Sequence, residues 1–313
     1  MRRFRFLIAF LVVLAAAGGL LASGALARGY TGEEQAVIDA RWSALVATAT
    51  ESAKSPESEH ELNEILERWS PVWQHDRGVL LALGLWQPGK PVGWGDESAF
   101  GSEQRAILHE FLEWLDRGRG NEDSVAIRHG LASGFRALCV TTMTVSEERP
   151  RVVVDVGILC KRVRSGSTTL ASCLSYGVSR QALARAVALG CDEGELRKMR
   201  PDSSELPLIL AHDALSRDTI WEQVWAEDEF WRLAWRDAHV RRLEDAVSGR
   251  TSFATLAEEP RLEWLSRRRR WVIDKLQDPE GAAVQTDTVL SGGDQFVAQA
   301  YLVAAADFDA VLD

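Results

Sequence analysis

The sequence predicts an all-α protein, an array of antiparallel helices that follows an N-terminal signal peptide or membrane anchor. Apolar residues recur at helical spacing along most of the chain, and only 9 of the 313 residues are proline. Arginines at the N-terminus precede a long uncharged run. Because 46% of the residues are hydrophobic, the chain can bury a sizeable core. We therefore expect residues 28–313 to form a single helical domain, with a sub-boundary at the loop 87–102.

The N-terminal segment, residues 1–27, indicates export. Three arginines within the first six residues precede the uncharged run Leu7–Ala27. Lipid hydrocarbon cannot solvate charge, so such a run is typical of a segment that enters a membrane and leaves its arginines in the cytoplasm. Two alternatives remain open: cleavage after the small residues near Ala27, or anchoring by residues 7–27. Both place the domain outside the cytoplasm, as a periplasmic or otherwise extracytoplasmic protein.

The predicted helices follow from periodicity and from the residues that interrupt it. They cover Tyr30–Ala53, Ser58–Trp73, Ser102–Asp116, Asp123–Thr144, Val152–Val163, Gly166–Gly190, Asp218–Val247, Glu258–Gln277 and Asp294–Val311. Pro56 separates the first two, and Ser248-Gly249 ends the long helix that begins at Asp218. The dense glycines and prolines of residues 87–102 predict a loop. A buried strand at Val152-Val153-Val154 remains an alternative.

Stripes of apolar residues predict which helix faces enter the core. They are Val37, Ala40, Ala44, Leu45 and Ala47; Leu62, Ile65, Leu66 and Trp69; Leu131, Phe135, Leu138 and Thr142; and Val152, Val156, Leu159 and Val163. Most members of each set are three or four residues from another member, which places them on one side of a helix.

The stretch from Asp123 to Gly190 resembles the exported helical proteins of bacteria that carry tetratricopeptide-like hairpins in the cell envelope. The resemblance rests on the spacing of Leu131, Phe135 and Leu138, on a short turn at Ser146–Pro150, and on the apolar positions that follow it. The Trp-x-x-Leu-Gly-x-x-Tyr signature of the repeat is absent from the chain. The resemblance implies a binding or scaffolding surface and a protein partner in the envelope.

Composition and motifs argue against several classes of function. A net charge of -10 repels phosphate, so we expect no nucleic acid partner, and the membrane contact is assigned to the N-terminal segment. The chain lacks Gly-x-Ser-x-Gly, Ser-x-x-Lys and a phosphate-binding Gly-Lys-Ser/Thr loop. No two of its 6 histidines stand four residues apart on a helix. We therefore predict no catalytic residue, no cofactor and no metal site.

Tryptophan is unusually frequent, with 12 residues, and four of them form a candidate contact surface. Trp221, Trp225, Trp231 and Trp235 fall within about 120° of arc on one helix. Such a stripe could stack on sugars, pack against a partner helix or lie at a membrane interface. The alternative is that it packs into the protein core. The acidic residues nearby favour the core, because a membrane-surface helix carries basic residues opposite its aromatic ones. We expect at least three of the four indoles to be buried.

The four cysteines, an even number in an exported domain, permit up to two disulfides. Along one helix Cys173 and Cys191 would lie about 27 Å apart, too far to bond. Cys139 and Cys160, on neighbouring helices of a hairpin, are the candidate disulfide, and free buried thiols are the alternative.

These observations predict a non-catalytic helical scaffold or interaction protein of the bacterial envelope. Two alternatives remain open. One is an exported hydrolase that acts on cell-wall or polysaccharide material, with the loop 87–102 at the rim of its cleft. The other is an interfacial lipid-binding protein that uses the tryptophan stripe.

Overall fold

A computed structural model describes residues 31–52, 56–75, 100–118, 125–145, 150–224, 229–258 and 293–313. Every regular element within these ranges is a helix, and no strand occurs among them. The helices are α1 Gly32–Ser52, α2 Pro56–His75, α3 Ser102–Asp116, α4 Ala132–Thr144, α5 Pro150–Arg164, α6 Thr169–Ala188, α7 Glu193–Met199, α8 Glu205–Val224, α9 Glu229–Val247, α10 Phe253–Glu258 and α11 Gly293–Leu312. The all-α fold class is confirmed for this part of the chain.

Most predicted helices are confirmed with small changes in their bounds. The helix predicted at Ser102–Asp116 is α3, residue for residue. The valine-rich segment forms helix α5, so the strand alternative is wrong. Its valines recur at helical steps and pack against α4 and α6. The burial of these side chains stabilises the helix more than the β-propensity of valine favours a strand. Gly249, with a φ of 73°, follows α9 in the left-handed conformation that ends many helices.

The predicted start of the long helix at Asp218 is wrong. Helix α8 already begins at Glu205, and its first two turns carry the buried side chains of Leu206, Ile209 and Leu210. Pro207 sits in the first turn, where the missing N–H costs no helical hydrogen bond. The short helix α10 was also not predicted, and the segment predicted after Glu258 lies outside the described residues.

The predicted helix Asp123–Thr144 is wrong in its first part. Residues 125–128 are not helical, and a short 3₁₀ turn at His129–Leu131 precedes α4. Side chains from elsewhere bind this backbone: Ser167 Oγ accepts from the Ile127 N–H at 3.0 Å, and Asn63 Oδ1 accepts from the Arg128 N–H at 3.0 Å. These bonds replace those that a helix would have made within the segment.

Two clusters of buried apolar side chains form the core, and α6 contributes to both. The first joins α2, α3, α4, α5, α6 and α7, and includes Phe308 of α11. The second joins α1, α8, α9, α10 and α11 around Tyr176 of α6. Ala171, Val178 and Ala182 of α6 face the first cluster, whereas Tyr176 faces the second. Helix α6 therefore connects the two halves of the core.

Three of the predicted apolar stripes are confirmed. The α2 residues Leu62, Ile65, Leu66 and Trp69 and the α5 residues Val152, Val156, Leu159 and Val163 are all buried. On α4, Phe135, Leu138 and Thr142 are buried, and Leu131 is partly buried just before the helix.

The predicted face of α1 is wrong except at Leu45. Val37 is 55% exposed, and Ala40, Ala44 and Ala47 are also exposed. The buried residues are Ile38, Trp42, Leu45 and Ala49. The larger side chains of this second stripe remove more apolar area from water, so they determine the orientation of the helix.

The signal or anchor residues 1–27 and most of the loop 87–102 lie outside the described residues. Among the helices that the structure describes, none is both long and apolar enough to cross a bilayer.

Candidate functional site

A buried polar network joins α5, α6 and α8. The Arg164 guanidinium donates to both carboxylate oxygens of Glu205, from Nε to Oε2 at 2.7 Å and from Nη2 to Oε1 at 3.2 Å. Its Nη1 donates to Ser179 Oγ at 2.8 Å. The Tyr176 hydroxyl donates to Glu205 Oε2 at 2.9 Å, and the Arg164 guanidinium carbon lies 4.5 Å from the centre of the Tyr176 ring. A planar fork of donors is what a bidentate carboxylate contact requires.

The position of each side chain along its helix brings the groups of this network together. Arg164 is the last residue of α5, and Glu205 is the first residue of α8. The carboxylate therefore sits at a helix N-terminus, where the peptide dipoles stabilise negative charge. It also accepts from the Asp202 N–H, at 3.2 Å. Tyr176 and Ser179 project from the same side of α6, three residues apart.

Burial and charge shape the proton equilibria of this network. Burial raises the pKa of Tyr176 well above its usual value, and the neighbouring Glu205 carboxylate raises it further. Burial by itself lowers the pKa of Arg164, but the combined effect of Glu205, Tyr176 and Cys160 outweighs it, so the pKa of Arg164 is raised. The hydroxyl is thus held neutral and the guanidinium charged across the physiological range.

The network does not have the exposure of a catalytic site. Arg164, Tyr176 and Ser179 are 0% exposed, and Glu205 is 3% exposed. Its one cation and one anion neutralise each other, and its donors are used within the protein. A catalytic group must touch substrate, so this arrangement fixes the relative positions of α5, α6 and α8.

A second set of buried polar side chains lies at the start of α6. Thr169 Oγ1 donates to Asp213 Oδ1 at 2.7 Å, and the Thr169 N–H donates to the same oxygen at 3.3 Å. The adjacent His212 is partly buried, and burial lowers its pKa. Asp213 therefore stabilises the N-terminus of α6 from α8, which makes this contact a helix cap supplied by a distant residue.

The outer face of α11 carries four of the seven large hydrophobic side chains that are exposed in the described part of the chain. Phe296 is 47% exposed, Val303 45% and Val311 44%. Its other outward residues are Gln299, Leu302, Ala306 and Ala310. We call these seven residues the α11 stripe, and none of them carries a charge. Phe296, Val303 and Ala310 stand seven residues apart, the spacing of a helix–helix seam.

The inner side of α11 is firmly packed. Val297, Ala298, Ala304 and Phe308 are 0% exposed. The Tyr301 ring stacks on Phe253 of α10, with ring centres 3.8 Å apart, and meets the Tyr176 ring edge-on at 5.7 Å. Because these contacts fix the helix, the outward stripe is held in one orientation without a ligand.

Ion pairs lie along both flanks of the α11 stripe. Asp307 pairs with Arg180 of α6, and Asp309 pairs with Arg200 after α7. All four side chains are partly exposed, so charges of both signs border the uncharged stripe.

The cysteines predicted to bond lie together. Cys139 of α4 and Cys160 of α5 are both buried in the first core cluster, with their thiols in hydrogen-bond contact. Burial raises the pKa of Cys139, and the contact with Cys160 adds to that effect. All four cysteines are present as thiols, and Cys173 and Cys191 flank the long helix α6.

The side chains of the tryptophan stripe lie outside what the structure describes. Trp225 lies outside the described residues, and the structure gives the helical backbone of Trp221, Trp231 and Trp235 without defining their side chains. The burial of these indoles stays a prediction. In the described part of the chain, no group of three or more histidine, cysteine or acidic residues is arranged to hold a metal ion.

Sequence reasoning missed the polar network and the α11 stripe. Arg164 closes a run of basic residues that is typical of a solvated helix end, and Glu205 is separated from it by 41 positions. The available signal was the polar row of Ser172, Tyr176 and Ser179, which repeats at helical steps along the predicted helix 166–190.

Comparisons with known proteins assign no family. No protein-family model matches the chain, and no curated protein or solved structure is significantly similar to it. The resemblance to tetratricopeptide-like envelope proteins therefore stays a prediction, and the function must be argued from the residues themselves.

Proposed function

We propose that this chain is a non-catalytic, extracytoplasmic helical scaffold or interaction protein of the bacterial envelope, and that the α11 stripe binds an apolar helix of a partner protein. The observation that carries the proposal is the exposure of an uncharged apolar stripe on a rigid helix of an acidic protein. Exposed apolar patches of this kind are typical of interaction sites.

The dimensions of the stripe favour a single helix as its ligand. From Phe296 to Val311 the stripe spans about 22 Å along the helix axis, at a rise of 1.5 Å per residue. A helix with its side chains is about 10 Å wide, so the stripe offers roughly 220 Å². A stable dimer of whole domains buries about 800 Å² on each partner. The stripe therefore fits one helix better than it fits a second copy of this chain.

The charges around the stripe specify the chemistry of that helix. An apolar seam flanked by residues of both signs matches the Arg180–Asp307 and Arg200–Asp309 pairs on either side. An anionic membrane surface is a poor match, because interfacial helices carry lysine and arginine beside their apolar face. The partner helix is thus expected to present small and branched apolar residues at seven-residue spacing.

The location and the antiparallel arrangement of the helices belong to the same proposal. The arginine-led uncharged run at the N-terminus supports export, and the short loops between successive helices such as α6 and α7 support an antiparallel arrangement. The hydrolase alternative depends on the loop 87–102, most of which lies outside the described residues. The lipid-binding alternative depends on the side chains of the tryptophan stripe, which also lie outside the description.

Site-specific photo-crosslinking tests the proposed contact. A photoreactive phenylalanine analogue replaces Val303 in the full chain, which is expressed in its native host. The matched control carries the analogue at Val37, a valine of α1 that is also exposed. We expect an adduct at position 303 and none at position 37, with the crosslinked peptide of the partner showing apolar residues at helical spacing.

A charge substitution provides the second readout. Val303→Asp is expected to weaken the complex with the crosslinked partner about tenfold or more, while Val37→Asp leaves it unchanged. Equal adducts at both positions, or none at position 303, would overturn the proposal. An adduct made only with another copy of this chain would show that the occupant is a homodimer and would also overturn it.

A further inference from the structure

The core brings two thiols together between α4 and α5. Cys139 and Cys160 are both 0% exposed, and their sulfur atoms are in direct contact. Both cysteines belong to the first core cluster, on helices α4 and α5, which pack against each other. Cysteines on adjacent elements whose side chains converge are the arrangement that a disulfide requires.

We propose that Cys139 and Cys160 form a structural disulfide while the chain folds, by exchange with the disulfide of a thiol oxidase outside the cytoplasm. This source of oxidant rests on the proposed export. The thiolate of one cysteine attacks a sulfur of the oxidant and releases its first thiol. The second cysteine then attacks the mixed disulfide, the Sγ–Sγ bond forms, and the second thiol of the oxidant leaves. The protein loses two protons and two electrons, and the oxidant becomes a dithiol.

Burial determines when this reaction takes place. The thiolate is the reactive form, and a thiol inside an apolar core is held protonated and out of reach of a second protein. The exchange must therefore occur before α4 and α5 pack together. Once the core closes, the same burial shields the bond from reductants, so the disulfide persists in the folded protein.

The other two cysteines serve as an internal comparison. Cys173 and Cys191 are partly exposed and lie at opposite ends of α6, which is continuous from residue 169 to 188. The helix between Cys173 and its end at Ala188 is about 22 Å long at 1.5 Å per residue, which excludes a bond between the two cysteines. Cys173 packs against the second core cluster and lies near the charged side chain of Arg136, away from the Cys139–Cys160 contact. A single specific disulfide is expected to leave these two thiols free.

Thiol counting on the full chain tests the proposal independently of where the protein resides. The reduced, unfolded protein is refolded in a glutathione redox buffer, denatured without reductant, and alkylated. We expect two alkylated cysteines, Cys173 and Cys191, and a Cys139–Cys160 peptide pair by mass spectrometry. The Cys173→Ser/Cys191→Ser variant should show no free thiol, and Cys160→Ser should show three. Four alkylated cysteines in the wild type, or a disulfide that involves Cys173 or Cys191, would overturn the proposal.

A second measurement concerns shielding and export. In the folded oxidised protein, dithiothreitol is expected to reduce the bond only after denaturant is added, whereas rapid reduction without denaturant would contradict the buried location.

Protein recovered from cells is then alkylated in the same way, and its compartment is established by fractionation. An exported chain with four free thiols overturns the disulfide, whereas a cytoplasmic chain that forms the bond on refolding overturns only the export.

Discussion

Replacing Glu205 by glutamine would test whether the buried network stabilises the fold through its charge. The substitution keeps the shape of the side chain and one acceptor oxygen, but removes the negative charge that faces Arg164. Because Arg164 is 0% exposed, no water can replace the carboxylate. The guanidinium is left as an uncompensated charge in the core, and it loses one of its two short contacts with Glu205.

The magnitude follows from the burial of both partners. Breaking a buried ion pair by removing one member typically costs about 3–5 kcal/mol, because the remaining charge is desolvated without compensation. The retained amide oxygen places our expectation for Glu205→Gln at the lower end, about 3 kcal/mol. The paired replacement Arg164→Met/Glu205→Leu removes both charges, so we expect it to recover most of this loss.

Urea unfolding followed by far-UV circular dichroism measures these free energies. The matched control is Glu193→Gln, which breaks the exposed pair with Arg197 on α7 and should cost about 0.2–0.5 kcal/mol. If Glu205→Gln cost no more than this control, the network would contribute nothing through its charge. A double variant less stable than Glu205→Gln would refute the argument about the uncompensated charge.

Two further predictions concern helix packing and pH. A Cβ at Gly157 would lie 2.7 Å from Met199 Cγ, so Gly157→Ala should lower the free energy of unfolding by about 1 kcal/mol. A Cβ at Gly134 would lie 3.7 Å from Ser70 Cβ, which is ordinary contact, so Gly134→Ala should raise that free energy by about 0.5 kcal/mol. Urea unfolding of both variants checks this, and changes of the same sign would contradict it. Burial lowers the pKa of His212 from 6.5, so the folded protein binds a proton at this residue less readily than the unfolded chain does. The resulting contribution to the free energy of unfolding is present above pH 6.5 and is lost as the pH falls toward the pKa of the folded state. Between about pH 7.5 and about pH 5.5 the wild type should lose more unfolding free energy than His212→Gln; equal losses would show that this histidine is not responsible.

How much of the fold could be predicted depended on whether local periodicity had one solution. On α2 the large apolar residues occupy a single stripe that ends at Trp69, and the prediction is confirmed. On α1 apolar residues occur on two faces, and small alanines around Val37 compete with Ile38 and Trp42. Counting apolar positions favoured the wrong face, because the stabilisation from burial depends on area and not on number.

The pairing of Arg164 with Glu205 in the buried network could not have been predicted from the same information. Arg164 and Glu205 meet only because α5 ends where α8 begins, and that juxtaposition is a product of the tertiary packing. Charged residues at helix ends are typical of the surface, so each residue taken alone predicts exposure. The cysteines are a different case, because their hairpin position follows from the chain order: Cys139 lies on α4 and Cys160 on the next helix, α5. The disulfide between them stays a prediction.

The segment before α4 shows most directly how a distant side chain can override a helical pattern, and it leads to a last prediction. Asn63 is 1% exposed, its amide nitrogen donates to the Ala126 carbonyl at 3.0 Å, and its oxygen accepts from the Arg128 N–H. One side chain thus satisfies two backbone groups that a helix would otherwise have paired. Asn63→Leu keeps the branched shape and the number of side-chain heavy atoms but leaves both groups without this partner, so we expect hydrogen exchange at the Arg128 amide to accelerate at least about tenfold. Ser43→Ala, which removes an exposed side-chain bond on α1, serves as the control and should leave that amide unchanged. Unchanged exchange in Asn63→Leu would mean that the packing of neighbouring residues, and not the asparagine, holds the segment out of the helix.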